Sequence, residues 1–299
     1  MFVIRHRKIW FAFSALLIAV SAYGAFIYGF NQSIDFKGGT ITEVRFERER
    51  PAKASVEESI GTLNLGGFSV RPLREDSYII RTRELSQGEA EELYRTLSLS
   101  DPVFEIVRSN TIGPVAGAEL KNKAMWAMLV VIMMIVLFVT FAFRHVSKKL
   151  SSWKYGLVTI ISMLHDIAIP TGAFIILGHF IGLEIDLLFV SGLLAVLGYS
   201  VHDTIVVFDR VRENLRVNEE LKVEEPFEGT VGRAISQTIG RSINTSVTTL
   251  IMLLALYFIG STATKDFALL LIVGIIAGTY SSIFVASPLL VTFYKWQRK

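Results

Sequence analysis

The chain has 299 residues, 52% of them apolar and 19% charged, with a mean hydropathy of +0.49. That is too apolar for an ordinary water-soluble domain, and a sequence without cysteine has no disulfides, thiolate metal sites or cysteine nucleophiles. A pI near 9.0 would fit a nucleic-acid binder, but the basic residues sort by membrane side, so no nucleic-acid partner is expected.

Six stretches, 9–30, 124–143, 155–177, 187–208, 245–259 with ill-defined ends, and 267–293, read as spans of a hydrocarbon core roughly 30 Å thick. Arg5, Arg7 and Lys8 ahead of the first, and "AYGA" within it, also fit a secretory signal. The apolar character continues to Phe30, which favours an uncleaved anchor. Lys and Arg number three before the first span, four in 144–154, six in 210–241 and three at the tail. The short connections 178–186 and 260–266 hold none and one. The positive-inside rule therefore places both termini in the cytoplasm of a multi-pass cell-membrane protein.

Residues 31–123 read differently. "ITEVRFE" (41–47) alternates like a strand, and 52–65 has helical spacing of Ala54, Ile60 and Leu63. "GFSVRPL" and "SYIIRT" are two short strands around Glu75 and Asp76. Ser86 and Glu89 form an S-x-x-E capping box opening a helix to about residue 97, and "PVFEIVRS" closes the domain. The order βαββαβ is ferredoxin-like. The expected fold class is an α-helical polytopic membrane protein of six transmembrane helices with an inserted extracytoplasmic α+β domain, divided as 1–30, 31–123 and 124–299. No metal or nucleophile cluster stands out in the insert, so a binding or lever role is expected there, with a plain spacer as the alternative.

In the third span "SMLHDIAIPTG" puts His165 and Asp166 roughly 17 Å from either end. A carboxylate at such depth costs about 2.5–3.5 kcal/mol to insert, so it faces a cavity or a partner. The pair reads either as part of a relay or as a hydrogen bond fixing helix packing. In the fourth span His202 and Asp203 stand near the cytoplasmic end, with Ser200 and Thr204 adding hydroxyls and Gly198 allowing close approach. Asp209 and Arg210 read as a structural pair at the membrane edge. A cation for Asp203 is sought in "GRSINTSVTT", where Arg241 shares a helical face with Asn244 and Thr245. Arg241 also fits a simple positive-inside anchor. The polar opening Ser242, Asn244, Thr245, Ser246, Thr248, Thr249 must face protein or water rather than lipid, which favours a functional role. An acid moved towards and away from a guanidinium binds and releases a proton.

Four strings, "IDFKGGT", "GPVAGAEL", "LLFVSGLLAVLGYSVHDTIVVFDRVRENL" and "RSINTSVTT", resemble the SecF family, the smaller membrane subunit of the SecDF accessory complex of the bacterial Sec translocon. The likeness spans nearly the whole chain. It implies an accessory subunit, not an enzyme, that acts with SecD and uses the proton motive force to promote late translocation and release of secreted polypeptides. By the same resemblance Asp203 and Arg241 are proton-relay residues supported by Thr245. His165, Asp166 and Asn244 serve as relay or packing residues, and Asp35, Gly38 and Gly39 belong to a signature loop. The family usually shows Asn where this chain has His202, an imidazole that titrates near neutrality and could join the relay or change the ion preference.

Six spans are half of a twelve-span exporter body, whose halves enclose the ion site between them. The implied partners are SecD as the complementary half, SecYEG, YajC, unfolded exported polypeptide and membrane lipid, with no cofactor and no metal. "RVRENLRVNEELKVEEPF" reads as part of an amphipathic cytoplasmic segment, 210–240, with Val211, Leu215 and Leu221 at the membrane surface. The competing functions are a self-contained proton-coupled exporter of a small solute or lipid and an assembly scaffold without ion transport. An intramembrane hydrolase built on His165 and Asp166 is disfavoured, because neither H-E-x-x-H nor G-x-S-x-G occurs.

Overall fold

The structure is a computed structural model and describes residues 2–47, 50–73, 75–100, 104–144 and 151–297. Helices α1 (Phe2–Arg5) and α2 (Arg7–Tyr28) are followed by the single turn α3 (Ile34–Lys37). Then come β1 (Gly39–Phe46), α4 (Lys53–Gly61), β2 (Ser69–Pro72), β3 (Ser77–Thr82), α5 (Gln87–Ser100) and β4 (Phe104–Ile112). Four long helices follow, α6 (Pro114–Ala142), α7 (Ser152–Ile181), α8 (Leu187–Glu220) and α9 (Phe227–Ile259). Helix α10 (Thr262–Ser281) passes through a π-turn at Ser282–Ala286 into α11 (Ser287–Gln297). Among the described residues six helices are long and apolar enough to cross a membrane. The chain divides into two compact units, Met1–Asn31 with Trp126–Lys299, and Gln32–Met125.

The Gln32–Met125 unit is a four-stranded antiparallel sheet in the order β2-β3-β1-β4, the arrangement expected of a βαββαβ chain. Alternation along β1 turns Val44 and Phe46 inward, where they meet Tyr78 and Ile80 of β3, Val56 and Ile60 of α4 and Leu93 and Leu97 of α5. The capping box forms: Ser86 N–H donates to Glu89 Oε2 at 2.9 Å and Glu89 N–H to Ser86 Oγ at 3.4 Å. Arg83 closes on the same carboxylate. Its hydrogen bond, with those from Ser86, holds the Glu89 carboxyl down at about 2. Part of the last predicted strand, Pro102 and Val103, lies outside the described residues.

Two of the four signature strings meet within this unit. Gly38 (φ +76°) and Gly39 (φ +133°) carry the chain from α3 into β1. A Cβ at Gly38 would stand 2.7 Å from Pro114 Cα, and one at Gly39 would stand 2.6 Å from the Thr82 carbonyl oxygen. A Cβ at Gly117 would stand 2.9 Å from Gly38 N. "IDFKGGT" and "GPVAGAEL" are therefore the two sides of one tight backbone crossing, where side chains are excluded by space and by φ. Ser33 caps α3 by accepting from Asp35 N–H at 3.0 Å, which fixes the turn carrying Asp35.

In the helical unit α8 is the central element. Its residues Phe189, Leu193, Val196, Leu197, Val201, Thr204, Val207, Phe208, Val211 and Leu215 recur at helical spacing and are buried, as a two-sided packing helix requires. Helix α10 lies against it through Gly274 and Gly278, where an added Cβ would come within 2.2 Å of Val196 Cγ2 and 2.8 Å of Ser200 Cβ. A G-x-x-x-G spacing of this kind lets two backbones approach closely. Two prolines interrupt the bundle. Pro170 inside α7 cannot donate to the Asp166 carbonyl, and Pro288 stands just after the π-turn.

Two expectations are corrected. No separate amphipathic helix lies on a membrane surface in 210–240. Helix α8 runs without a break to Glu220, Val211 and Leu215 are buried in the bundle core, and Leu221 is exposed. The charged residues decorate the outer side of a core helix, so the stripe that looked like a lipid-facing one packs on protein. Asp209 and Arg210 are not paired with each other: Asp209 pairs with Arg212, and Arg210 with Glu213 and Gln237. Side chains three apart on a helix face one another, whereas neighbours in sequence diverge. At the turn between α8 and α9, Asn218, Thr230 and Arg233 all bond Glu225. Burial alone would push that carboxyl up, but these donors hold it below the ordinary range. Of the basic residues counted for topology, Lys148, Lys149, Arg298 and Lys299 lie outside the described residues.

Candidate functional site: two carboxylates on either side of helix α8

Asp203 sits on the α9-facing side of α8 and is 8% exposed. Ser242 Oγ donates to its Oδ1 at 2.5 Å, while Oδ2, also buried, has no hydrogen-bond partner. Neither oxygen is bonded to Arg241. The side chains of Arg241 and His202 are both exposed. Arg241 lines a cleft of about 380 Å³ with Asp209, Arg210, Glu213, Gln237 and Thr238.

The polar opening of α9 divides by face. Ser242 and Ser246 point inward, the second donating to the Ser242 carbonyl at 2.9 Å and lying 2.6 Å from Thr279 Oγ1 of α10. Arg241, Asn244, Thr245 and Thr248 point outward and are exposed. Thr245 is thus brought beside Arg241 on the helix surface but not to Asp203. Its carbonyl accepts the Thr248 and Thr249 hydroxyls. On α8 the neighbouring outward positions are Ser191, Ala195, Gly198 and His202, and nothing stands within 4 Å of a Cβ built on Gly198.

The second carboxylate is fully enclosed. Asp166 has no exposure, and His165 Nδ1 lies 2.8 Å from its Oδ1. Oδ2 accepts from Ser200 Oγ of α8 and, at 2.8 Å, from Ser281 Oγ of α10. Ser162 Oγ donates to Ser281 Oγ at 3.2 Å, and Thr204 Oγ1 lies 3.0 Å from Ser282 Oγ. The sequence reading placed His165 and Asp166 together but missed Ser281 and Ser282. The signal available was "TYSSIFVASP", a cluster of hydroxyls and a proline inside an otherwise apolar span.

With this geometry in view, the family described as "Protein export membrane protein SecD/SecF, C-terminal" matches residues 94–296, and the SecD/SecF GG motif matches 23–49. The chain belongs to the SecF family. It is 38% identical over 312 residues to protein translocase subunit SecF of Thermobaculum terrenum, across 99% of this chain and 94% of that one. The SecF of Sebaldella termitidis is 31% identical across 99% and 92%. Protein translocase subunit SecDF of Thermus thermophilus is 37% identical across 96% of this chain but only 38% of its own length. A crystal structure of SecDF from Thermus thermophilus superposes with a TM-score of 0.84 at 35% identity, covering 99% of this chain and 38% of that one. SecF-family membership makes the chain a multi-pass membrane subunit of a protein translocase, acting in protein export.

Proposed function

We propose that this SecF-family chain is half of a proton-driven export device, completed by SecD. The observation that carries the reading is the outward face of α9. Arg241, Asn244, Thr245 and Thr248 are exposed on the helix whose Ser242 holds the half-satisfied carboxylate of Asp203. Thr245 lies about 21 Å from the Ile259 end of α9, and Asp203 about 24 Å from the Leu187 end of α8, so both fall within one membrane thickness. Lipid cannot satisfy such a face. A second six-helix half can, and the fusion of SecD and SecF in one chain in Thermus thermophilus supports that partner.

In this reading Asp203 takes up a proton where Arg241 is remote and releases it where the guanidinium approaches, because the cation favours the ionised form. The Ser242 bond holds the carboxylate on α9, so a change in its charge is felt as a change in helix packing. One charge crossing 100 mV supplies about 2.3 kcal/mol, and a few per cycle can move an outer domain. The Gln32–Met125 unit, on the outer face by the positive-inside rule, grips or releases emerging polypeptide late in translocation. SecYEG, YajC and the surrounding lipid complete the assembly. No step requires a cofactor or a chemical conversion of substrate.

The test replaces Asp203 by Asn and, separately, Arg241 by Met in cells, and measures preprotein export at low and normal temperature alongside co-purification with SecD. We expect both variants to assemble and to lose the export that depends on the proton motive force. Normal export from assembled variants sinks the relay, and loss of assembly makes the pair structural.

A further inference from the structure

The proton-coupled reading uses Asp203 alone and leaves a second buried acid unexplained. We propose that His165–Asp166 is a second proton-accepting site, and that loading it loosens α7 from α8 and α10 at Ser200 and Ser281. Its place in a transport cycle rests on the function proposed above, whereas proton uptake by the pair does not.

The argument is a count of donors and acceptors. With imidazole neutral and Nδ1–H donating to Oδ1, the ionised carboxylate receives three hydrogen bonds, from His165, Ser200 and Ser281. Its geometry is then complete, but the bundle holds an uncompensated negative charge, and the buried His165 Nε2 has no hydrogen-bond partner. Add one proton at Nε2 and pass the Nδ1 proton to Oδ1. The pair is now a neutral acid and a neutral imidazole, the charge is gone, and Nε2–H becomes a donor with no acceptor. Neither state satisfies every group, so neither is an inert packing contact. The titratable group facing the pair is Tyr280 of α10, whose ring stacks on the imidazole at 5.8 Å. Its hydroxyl is engaged by the Trp10 carbonyl and Ser14 of α2. From α8 the pair meets Ser200, and Asp203 lies one turn beyond on the α9 side.

The surroundings can turn a proton into movement. A neutral carboxyl is a weaker acceptor than a carboxylate, so loading weakens the two serine bonds that tie α7 to its neighbours. The pair's own helix, α7, and α10 are both broken at this level. Pro170 leaves the Asp166 carbonyl without its helical donor, and the π-turn begins at Ser282, directly after Ser281. π-Turns and proline breaks are where a helix changes register with little loss of hydrogen bonding. The Gly274–Gly278 seam passes any shift of α10 to Val196 and Ser200 of α8, three residues from Asp203.

The experiment is pH-titrated infrared difference spectroscopy of the full chain in phosphatidylethanolamine–phosphatidylglycerol vesicles, reading the protonated-carboxyl band. On a D203N background we expect a pH-dependent band that D166N abolishes and that H165Q moves by about one pH unit. A band that survives D166N, or no such band on the D203N background, overturns the proposal. If D166N fails to insert, H165Q and S281A decide it, since a merely structural pair leaves the midpoint unmoved. Normal export by D203N, with the Asp166 band present, sinks the proposed role of Asp203 while leaving this site standing.

Discussion

Ser242 of α9 donates to Asp203 of α8 at 2.5 Å, and no guanidinium touches either carboxylate oxygen. The acid proposed as the proton carrier is held to the neighbouring helix by a neutral hydroxyl. This arrangement separates the group that positions Asp203 from the group that changes its charge.

That separation predicts unlike effects of adjacent substitutions. S242A removes a hydrogen bond worth about 1 kcal/mol net and leaves the carboxylate unheld, so proton-driven export falls roughly fivefold, while S242T retains it. Export by inverted membrane vesicles under an imposed proton gradient measures both. Equal activity of S242A and wild type contradicts the positioning role.

Arg241 is exposed and unpaired with Asp203 in this chain, so R241M changes the thermal stability of the isolated subunit by less than about 0.5 kcal/mol. The same substitution abolishes coupled export in the assembled complex. A large drop in melting temperature of the subunit alone marks Arg241 as an internal structural residue instead.

The α8–α10 seam has no room for a side chain at Gly274 or Gly278. G278V forces Val Cβ onto Ser200 and destabilises the bundle by about 1–3 kcal/mol, whereas G198A, at a position with open space, leaves the subunit alone unaffected. Thermal unfolding in detergent distinguishes them. If the outward face of α8 is the partner interface, bulkier G198L lowers co-purification with SecD without lowering subunit stability.

In the inserted domain the cap is a pH-sensitive element. The folded Glu89 carboxyl lies below its unfolded value. Its contribution is therefore present above the unfolded pKa and is lost as pH falls towards about 2. S86A removes the other half of the box and costs about 1 kcal/mol at neutral pH. Circular dichroism of the full chain in detergent, followed from pH 7 downward, shows the acid loss in wild type and a smaller one in E89Q.

Much of this was legible without coordinates because the signals are local or repeat along the chain. Hydropathy over 18 or more residues marks a span whatever it packs against, and an S-x-x-E preceding an apolar stripe marks a helix start by its own hydrogen bonds. The misreading of 210–240 shows the limit. An amphipathic stripe has the same spacing whether its apolar side meets lipid or another helix, and only the neighbours of Val211 and Leu215 tell the two apart. Asp209 and Arg210 failed for a related reason, since adjacency in sequence turns side chains about 100° apart on a helix.

By itself the sequence determined the six apolar spans, the βαββαβ insert, its capping box and the identity of the charged residues that no membrane segment tolerates without a reason. Tertiary structure alone decided which partner each of those residues has. Asp166 meets Ser281 across 115 positions and Asp203 meets Ser242 across 39, contacts set by how α7, α8, α9 and α10 cross. Glycine at 274 and 278 could be read from the sequence as small, but the nearness of Val196 and Ser200, which a Cβ at these positions would meet at 2.2 and 2.8 Å, exists only between two packed helices. Hydrogen bonds between helices depend on interhelical distance and rotation, and neither is a property of any one segment of chain.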